Sequence, residues 1–491
     1  MSNSSLVEII QQLVALNQQQ RFADSQQFAQ NALIEYPNQP QILMLLAFAQ
    51  YHLADISAAQ KQIELAFNYG EKSAYANYVY GLILEETNQL ELAKNAFFNA
   101  NKLDPSYTYC RHYLVLVQNL ANSTAELLQV LKQYDDFIFQ YPNDYMAYQN
   151  RSVVLKKLGL YELALQDIEY CLTLKPDFAL GWCNKALTLN LLGDLKQGFA
   201  DYEWRLKAGA EDYSPPSERL KLWQGGLLQP DQKLLIMVEQ GFGDNIQFVR
   251  YALFAKQRGF NIAVLNHQGI EELLDYNLQK YGIETVKNGG FLPKEMTHYI
   301  PMMSLPFYFQ TTLDNIPFAN AYLAAQPEFI QKWQTKISPK TVNIGLVWAG
   351  SAKHNNNLAR SLNLANLLPL LDCNAQFHCL QKVVKNSEKL TACSSPNLHF
   401  WDEEIADFSD TAGMIAQMDL VISVDTSAAH LAAAMGKPTW ILLGFDPDFR
   451  WLLERRDSPW YASATLFRQD ADYDWQKVIQ QVLACLQKNW G

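Results

Sequence analysis

Residues 418–443 read Met-Asp-Leu-Val-Ile-Ser-Val-Asp-Thr-Ser-Ala-Ala-His-Leu-Ala-Ala-Ala-Met-Gly-Lys-Pro-Thr-Trp-Ile-Leu-Leu. Leu420 to Val424 is a strand-sized apolar run. It stops at Asp425-Thr426-Ser427, small residues follow, Gly436-Lys437-Pro438 closes the segment, and Thr439 to Leu443 is a second apolar run. An apolar strand, a helix of small residues and another apolar strand make the repeating unit of a parallel sheet buried on both faces.

The same rhythm extends on either side. Lys233 to Val238 reads as a buried strand, the loop Glu239-Gln-Gly-Phe-Gly-Asp244 follows, and an apolar-periodic helix runs through Ala252. Further strands are expected at 261–266 and 297–301, with a helix at 270–278. The pattern restarts with strands at 342–348, 376–380, 420–424, 439–443 and 465–468. Helices are expected at 411–418, 427–435 and 474–488. Alternation of this kind predicts two doubly wound lobes, with ligands bound at the carboxyl ends of the strands.

Before residue 212 the periodicity is helical. Pro105, Pro142 and Pro176 interrupt it at separations of 37 and 34 residues, and 34 is the period of the tetratricopeptide (TPR) repeat. The clearest unit runs from Tyr145 to about Phe178. Ser152, Ala164 and Cys171 stand where two helices cross, and Gly159 turns the chain between them. The segment resembles TPR proteins, with five or six helix pairs expected. Such solenoids commonly bind protein or peptide; a spacer or dimerisation arm is the other reading. Ser214-Pro-Pro-Ser217, Trp223-Gln-Gly-Gly226 and Pro230 mark a linker.

The expected class is therefore α plus α/β multidomain. A helical repeat spans residues 1–212, a linker 213–232, a first lobe 233–335 and a second lobe 336–491. Of the 491 residues, 49% are hydrophobic and 18% charged, which suits large cores. The net charge is −11, and no basic footprint points to nucleic acid. Seven cysteines with no C-x-x-C pair fit a reducing compartment and neither a disulfide framework nor a zinc site. No leader and no membrane span are expected, so the chain reads as cytoplasmic.

Three motifs carry chemistry. In Glu239–Asp244 the glycines Gly241 and Gly243 permit a tight turn and close ligand approach. Asp244 then falls at a helix start, where a carboxylate serves as general base or as cap; spacing alone favours the cap. In the second motif, the helix start after Asp425 exposes N–H groups at Thr426, Ser427 and Ala428 that suit a diphosphate, and His430 lies one turn on. Third, Trp348-Ala349-Gly350 ends a strand, where Trp348 and Gly350 are expected to line the donor site, before a loop with Lys353, His354 and Arg360, whose cations would offset phosphate charge. An aromatic stretch, Phe445-Asp-Pro-Asp-Phe-Arg-Trp451 with Trp460-Tyr461, reads equally as a stacking surface or as packing between lobes. The histidines His267, His298, His378 and His399 are scattered and read as structural.

Taken together, EQGFGDNIQFVRY, GLVWAGSAKHNNN with RSL, and MDLVISVDTSAAHLAAAMGKPTWILL resemble the family 9, heptosyltransferase-like glycosyltransferases of GT-B fold, fused to bacterial TPR repeats. The resemblance covers about residues 232–470. It implies an inverting, metal-independent transfer from a nucleotide-sugar donor, with no cofactor or metal. It makes Asp244 of the Gly243-Asp244 pair the base. It gives Asp425, Thr426, Ser427 and His430 to the donor diphosphate, helped by Arg360 or else Lys353. It also puts the acceptor on the first lobe and the donor on the second. Ser427 departs from the glycine of many members. Heptosyltransferases lack TPR repeats, so the acceptor need not be lipopolysaccharide; the architecture also resembles protein O-glycosyltransferases, which implies a protein or peptide acceptor carried by the repeats. The rivals are a non-catalytic TPR scaffold with a degenerate transferase domain, and a glycan-directed transferase.

Overall fold

The computed structural model describes residues 5–104, 107–121, 123–209, 216–266, 269–287, 290, 292–350, 360–391 and 395–490. The chain divides into two compact units, Met1–Val154 and Leu155–Gly491.

The first unit is built of consecutive helices from Leu6–Gln18 onward. Local chemistry sets their starts. Ser5 accepts from the Glu8 N–H while the Glu8 carboxylate accepts from the Ser5 N–H, a reciprocal cap that satisfies two otherwise orphan donors. Asp55 and Ser73 cap the helices Ile56–Asn68 and Ala74–Glu86. Small residues lie at the crossings: Ala29, Ala47, Ala59, Ala76 and Ala93 are fully buried. Gly81 is needed for the same reason, since a Cβ there would stand 2.6 Å from the Phe97 ring. Among the described residues six helix pairs run to Tyr202, within the expected five or six.

The second unit opens on the last three of these helices, Tyr161–Leu174, Ala179–Leu191 and Leu195–Tyr202, then the short helix Arg205–Ala208. The unit boundary therefore falls well before residue 212. Its physical reason is packing: Phe199 is buried against Phe248, Phe449 and Trp460 of the lobes.

Two all-parallel sheets follow. The first contains β1 (Lys221–Leu222), β2 (Lys233–Met237), β3 (Ile262–Asn266), β4 (Glu284–Lys287) and β5 (Met296–Pro301), in the order β1-β5-β2-β3-β4. The expected linker thus contributes a short edge strand, Lys221 pairing with His298 and Leu222 with Tyr299. The second sheet contains β6 (Asn343–Val347), β7 (Gln376–Cys379), β8 (Leu398–Phe400), β9 (Leu420–Val424), β10 (Thr439–Leu443) and β11 (Ala464–Arg468), in the order β11-β10-β9-β6-β7-β8. Every residue of β6, β9 and β10 is buried, which is why each reads as a near-continuous apolar run.

Strand order reverses between β2 and β5 in the first sheet and between β6 and β9 in the second. Such reversals open a crevice at the carboxyl ends of the strands. The loops leaving β2, β6 and β9 are the three that carry the sequence motifs. Among the described residues no helix is long and apolar enough to cross a membrane.

Candidate active site

The loop after β2 enters helix Phe242–Gln257. Gln240 takes the left-handed conformation, φ 59°, and its side-chain amide donates to the Tyr202 hydroxyl at 2.9 Å. The Glu239 side chain is buried, its carboxylate accepting from the Arg205 guanidinium at 2.9 and 3.1 Å and from the Met303 N–H at 2.7 Å. Arg205 also donates to Ser304 at 2.9 Å. The last helical turn of the repeat segment thereby fixes the loop that presents Asp244.

Asp244 does two things. One carboxylate oxygen accepts the Gly241 N–H at 2.9 Å, the capping role that its position favours. The other pairs with the Arg450 guanidinium. Arg450, from the turn Phe449–Trp451, donates in addition to Asp448 at 2.7 Å. Burial opposes its charge, but Asp448, Asp244 and Asp425 together raise it well above the ordinary range.

The second motif forms helix Ser427–Ala434, capped by Thr426. The Thr426 hydroxyl also pairs with that of Ser423 at 2.9 Å. Thr426 and Ala428 are buried and Ser427 half-buried. His430 stacks on Trp451, ring centroids 5.1 Å apart, and its Nδ1 meets the Tyr461 hydroxyl at 2.9 Å. Its Nε2 lies 3.6 Å from Asp425. Burial works against the charge of Asp425, but His430, and then Arg450 and Arg360, hold its carboxyl below the usual range.

The third motif divides. The Arg360 guanidinium donates to the Asp425 carbonyl at 3.0 Å. Gly350 makes room for it, since a Cβ there would stand 2.6 Å from Arg360 Nη2. Trp348, expected to touch the donor, instead buries its ring completely and donates its indole N–H to Glu388 at 2.6 Å. Ile344, Leu346 and Trp348 share one face of β6 and one core, as alternation along a strand dictates. Lys353 and His354 lie outside the described residues.

The two lobes meet at these loops. A Cβ on Gly243 would lie 3.0 Å from His430 Cδ2 and 3.7 Å from the Ser427 Cα. The site therefore gathers Gly241, Gly243, Asp244, Gly350, Arg360, Asp425, Thr426, Ser427 and His430, together with Arg450, which the sequence reading passed over. The aromatic stretch around Arg450 serves packing: Trp451, Trp460 and Tyr461 are fully buried. His378 and His399 stack on each other, centroids 5.2 Å apart. Among the described residues no cluster of three or more His, Cys, Asp or Glu could hold a metal ion.

Residues 406–485 match the model of glycosyltransferase family 9 (heptosyltransferase), and residues 147–178 match that of a tetratricopeptide repeat. The chain thus carries a segment that matches a TPR repeat and, after it, a segment that matches glycosyltransferase family 9. The family 9 match contains Asp425 to His430, Arg450 and Tyr461; Asp244 and Arg360 lie outside it. The chain is similar to protein FlbA of Caulobacter vibrioides, 25% identical over 392 residues, 72% of this chain and 63% of FlbA. It thus spans somewhat under two thirds of that relative's length. Hsp70-Hsp90 organizing protein 3 of Arabidopsis thaliana is 32% identical over 79 residues, 16% of this chain and 14% of that protein. Among solved structures, YrrB, a TPR protein with an unusual peptide-binding site, aligns with TM-score 0.33 and 19% identity over 37% of this chain and 93% of its own.

Proposed function

We propose that the protein is an inverting, metal-independent glycosyltransferase of GT-B type. It moves a sugar from a nucleotide-sugar donor to an acceptor, a protein or peptide brought by the TPR repeats. The observation that carries this reading is the meeting of Gly243-Asp244 with the Asp425–His430 helix start, beside Arg360, in a chain with a family 9 domain.

In this mechanism the donor diphosphate lies on the N-terminus of helix Ser427–Ala434. The first-turn N–H groups there and the Arg360 guanidinium supply the positive field that a departing nucleoside diphosphate requires, with His430 beside them. The acceptor hydroxyl approaches from the first lobe and Asp244 takes its proton. The oxygen attacks the anomeric carbon as the bond to the diphosphate breaks, and the configuration inverts. Arg360 and the helix start are the groups that meet charge on the leaving group.

The test is a thermal-shift screen with ADP, GDP, UDP, CDP and CMP, followed by assay with the sugar nucleotide of whichever base stabilises the protein. A ligand at about 100 times its Kd adds roughly 2.7 kcal/mol. Asp244→Asn is expected to cut turnover by about 10²–10⁴-fold without weakening nucleotide binding. A well-folded wild type that responds to no nucleotide overturns the reading.

A further inference from the structure

At the meeting of the lobes, the hydrogen-bonding capacity of Arg450 is left incomplete while its charge is heavily engaged. It is 8% exposed. One Nη pairs with Asp244 and the other with Asp448 at 2.7 Å, yet its Nε is buried with no partner. Arg360 repeats the pattern: its Nη1 reaches the Asp425 carbonyl, and its Nε is likewise buried and unpartnered. A buried donor on a charged group is costly to leave unmade. Two of them at one site, beside the N-termini of helices Phe242–Gln257 and Ser427–Ala434, call for an anion with several acceptor oxygens.

We propose that Arg450 is a diphosphate-binding residue whose guanidinium is shared between the donor's phosphates and Asp244, so that donor binding and the state of Asp244 are coupled. The inference rests on the nucleotide-sugar reading above and adds to it a residue and a linkage. Asp448 is the positioning partner. It accepts both from the Arg450 backbone N–H at 3.0 Å and from its side chain, so Arg450 stays in place when Asp244 lets go. The sign of the coupling follows from the charges facing the guanidinium. Asp244, Asp425 and Asp448 are three carboxylates against the two guanidiniums of Arg450 and Arg360. An incoming diphosphate competes with Asp244 for Arg450 and is repelled by it. By reciprocity, phosphate bound to Arg450 weakens the hold on Asp244 and turns the carboxylate over to the acceptor only when a donor is present.

The experiment measures binding of ADP, GDP, UDP and CDP to the full chain by calorimetry and carries forward the tightest. Arg450→Gln is expected to weaken that nucleotide at least tenfold, and Arg450→Lys to recover part of the loss, because a point charge replaces the fork. Asp244→Asn is expected to tighten it several-fold. A merely structural ion pair gives the opposite sign, both variants weakening binding together. Binding unchanged in Arg450→Gln, or weakened in Asp244→Asn, overturns the proposal while leaving the nucleotide reading intact. If Arg450→Gln does not fold, the direction of the Asp244→Asn change decides. No binding of any nucleoside diphosphate to folded wild type overturns both.

Discussion

Gly243 of the first lobe faces His430 of the second so closely that a Cβ on Gly243 would stand 3.0 Å from the imidazole Cδ2. The ring has little room to retreat, held by Tyr461 on one nitrogen and stacked on Trp451. The glycine sits within helix Phe242–Gln257, where alanine favours the helix by up to about 1 kcal/mol. Gly243→Ala is therefore expected to leave the thermal midpoint nearly unchanged while displacing His430 and weakening nucleoside diphosphate binding by roughly tenfold or about 1.4 kcal/mol. Calorimetry beside a melting curve checks this; unchanged affinity would mean that His430 does not need its present place.

Gly350 stands to Arg360 as Gly243 stands to His430, but its neighbour can move. A Cβ at Gly350 meets the far end of the guanidinium, 2.6 Å from Nη2, so Gly350→Ala swings the side chain away and leaves the fold alone. Stability is expected to stay within about 0.5 kcal/mol, as for a substitution outside the core, while nucleotide affinity falls to that of Arg360→Ala. The double variant should then be no worse than either single one, which a double-mutant cycle on nucleotide Kd reads directly.

What the sequence showed and what it hid follow from the range of the interactions. β2, β6, β9 and β10 were legible because strands buried on both faces are continuous apolar runs. β1, β4 and β8 were not: Lys221-Leu222 and Glu284-Thr-Val-Lys287 are short edge segments with polar residues. The Asp425–His430 helix start was readable because strand, cap and helix are adjacent in sequence. Arg450 was not, since its partner Asp244 lies 206 positions away and nothing local distinguishes an arginine between Phe449 and Trp451. Trp348 was legible in principle: alternation from Ile344 and Leu346 sends it into the core.

His378 predicts a pH dependence of stability. Its Nδ1 accepts from the Trp401 indole N–H at 3.2 Å and its Nε2 meets Asn343 Oδ1 at 3.0 Å, a pairing that only the neutral ring with its proton on Nε2 can make. Burial, reinforced by His399, lowers it from 6.5 to about 4. The unfolded chain thus takes up the proton first. The contribution is full above pH 6.5 and is lost as pH falls through 6.5 toward 4, on the order of 2–3 kcal/mol. Urea unfolding at pH 7.5 and 4.5 measures it. His378→Gln should be less stable at pH 7.5 and lose less between the two values; an equal loss would place the effect elsewhere.

The boundary between the compact units yields the last prediction. The repeat segment reads as one helical array to residue 212, but the helices after Val154 belong with the sheets. A chain beginning at Leu155 keeps Phe199 against Phe248, Phe449 and Trp460, and keeps Arg205 on Glu239. It is expected to unfold cooperatively and to retain nucleotide binding. A chain beginning at residue 213 loses an aromatic anchor, a truncation worth about 3–5 kcal/mol in a core. It also leaves the buried Glu239 carboxylate without its arginine, a loss of similar size, about 3–5 kcal/mol. Domains are stable by only about 5–15 kcal/mol, so these losses together are enough to melt the loop that carries Asp244, and with it the site. Expression of both truncations, compared by thermal shift with the best-binding nucleotide, separates the cases. A nucleotide response in the shorter chain equal to that of the longer would show that the helices between residues 155 and 212 are dispensable to the lobes.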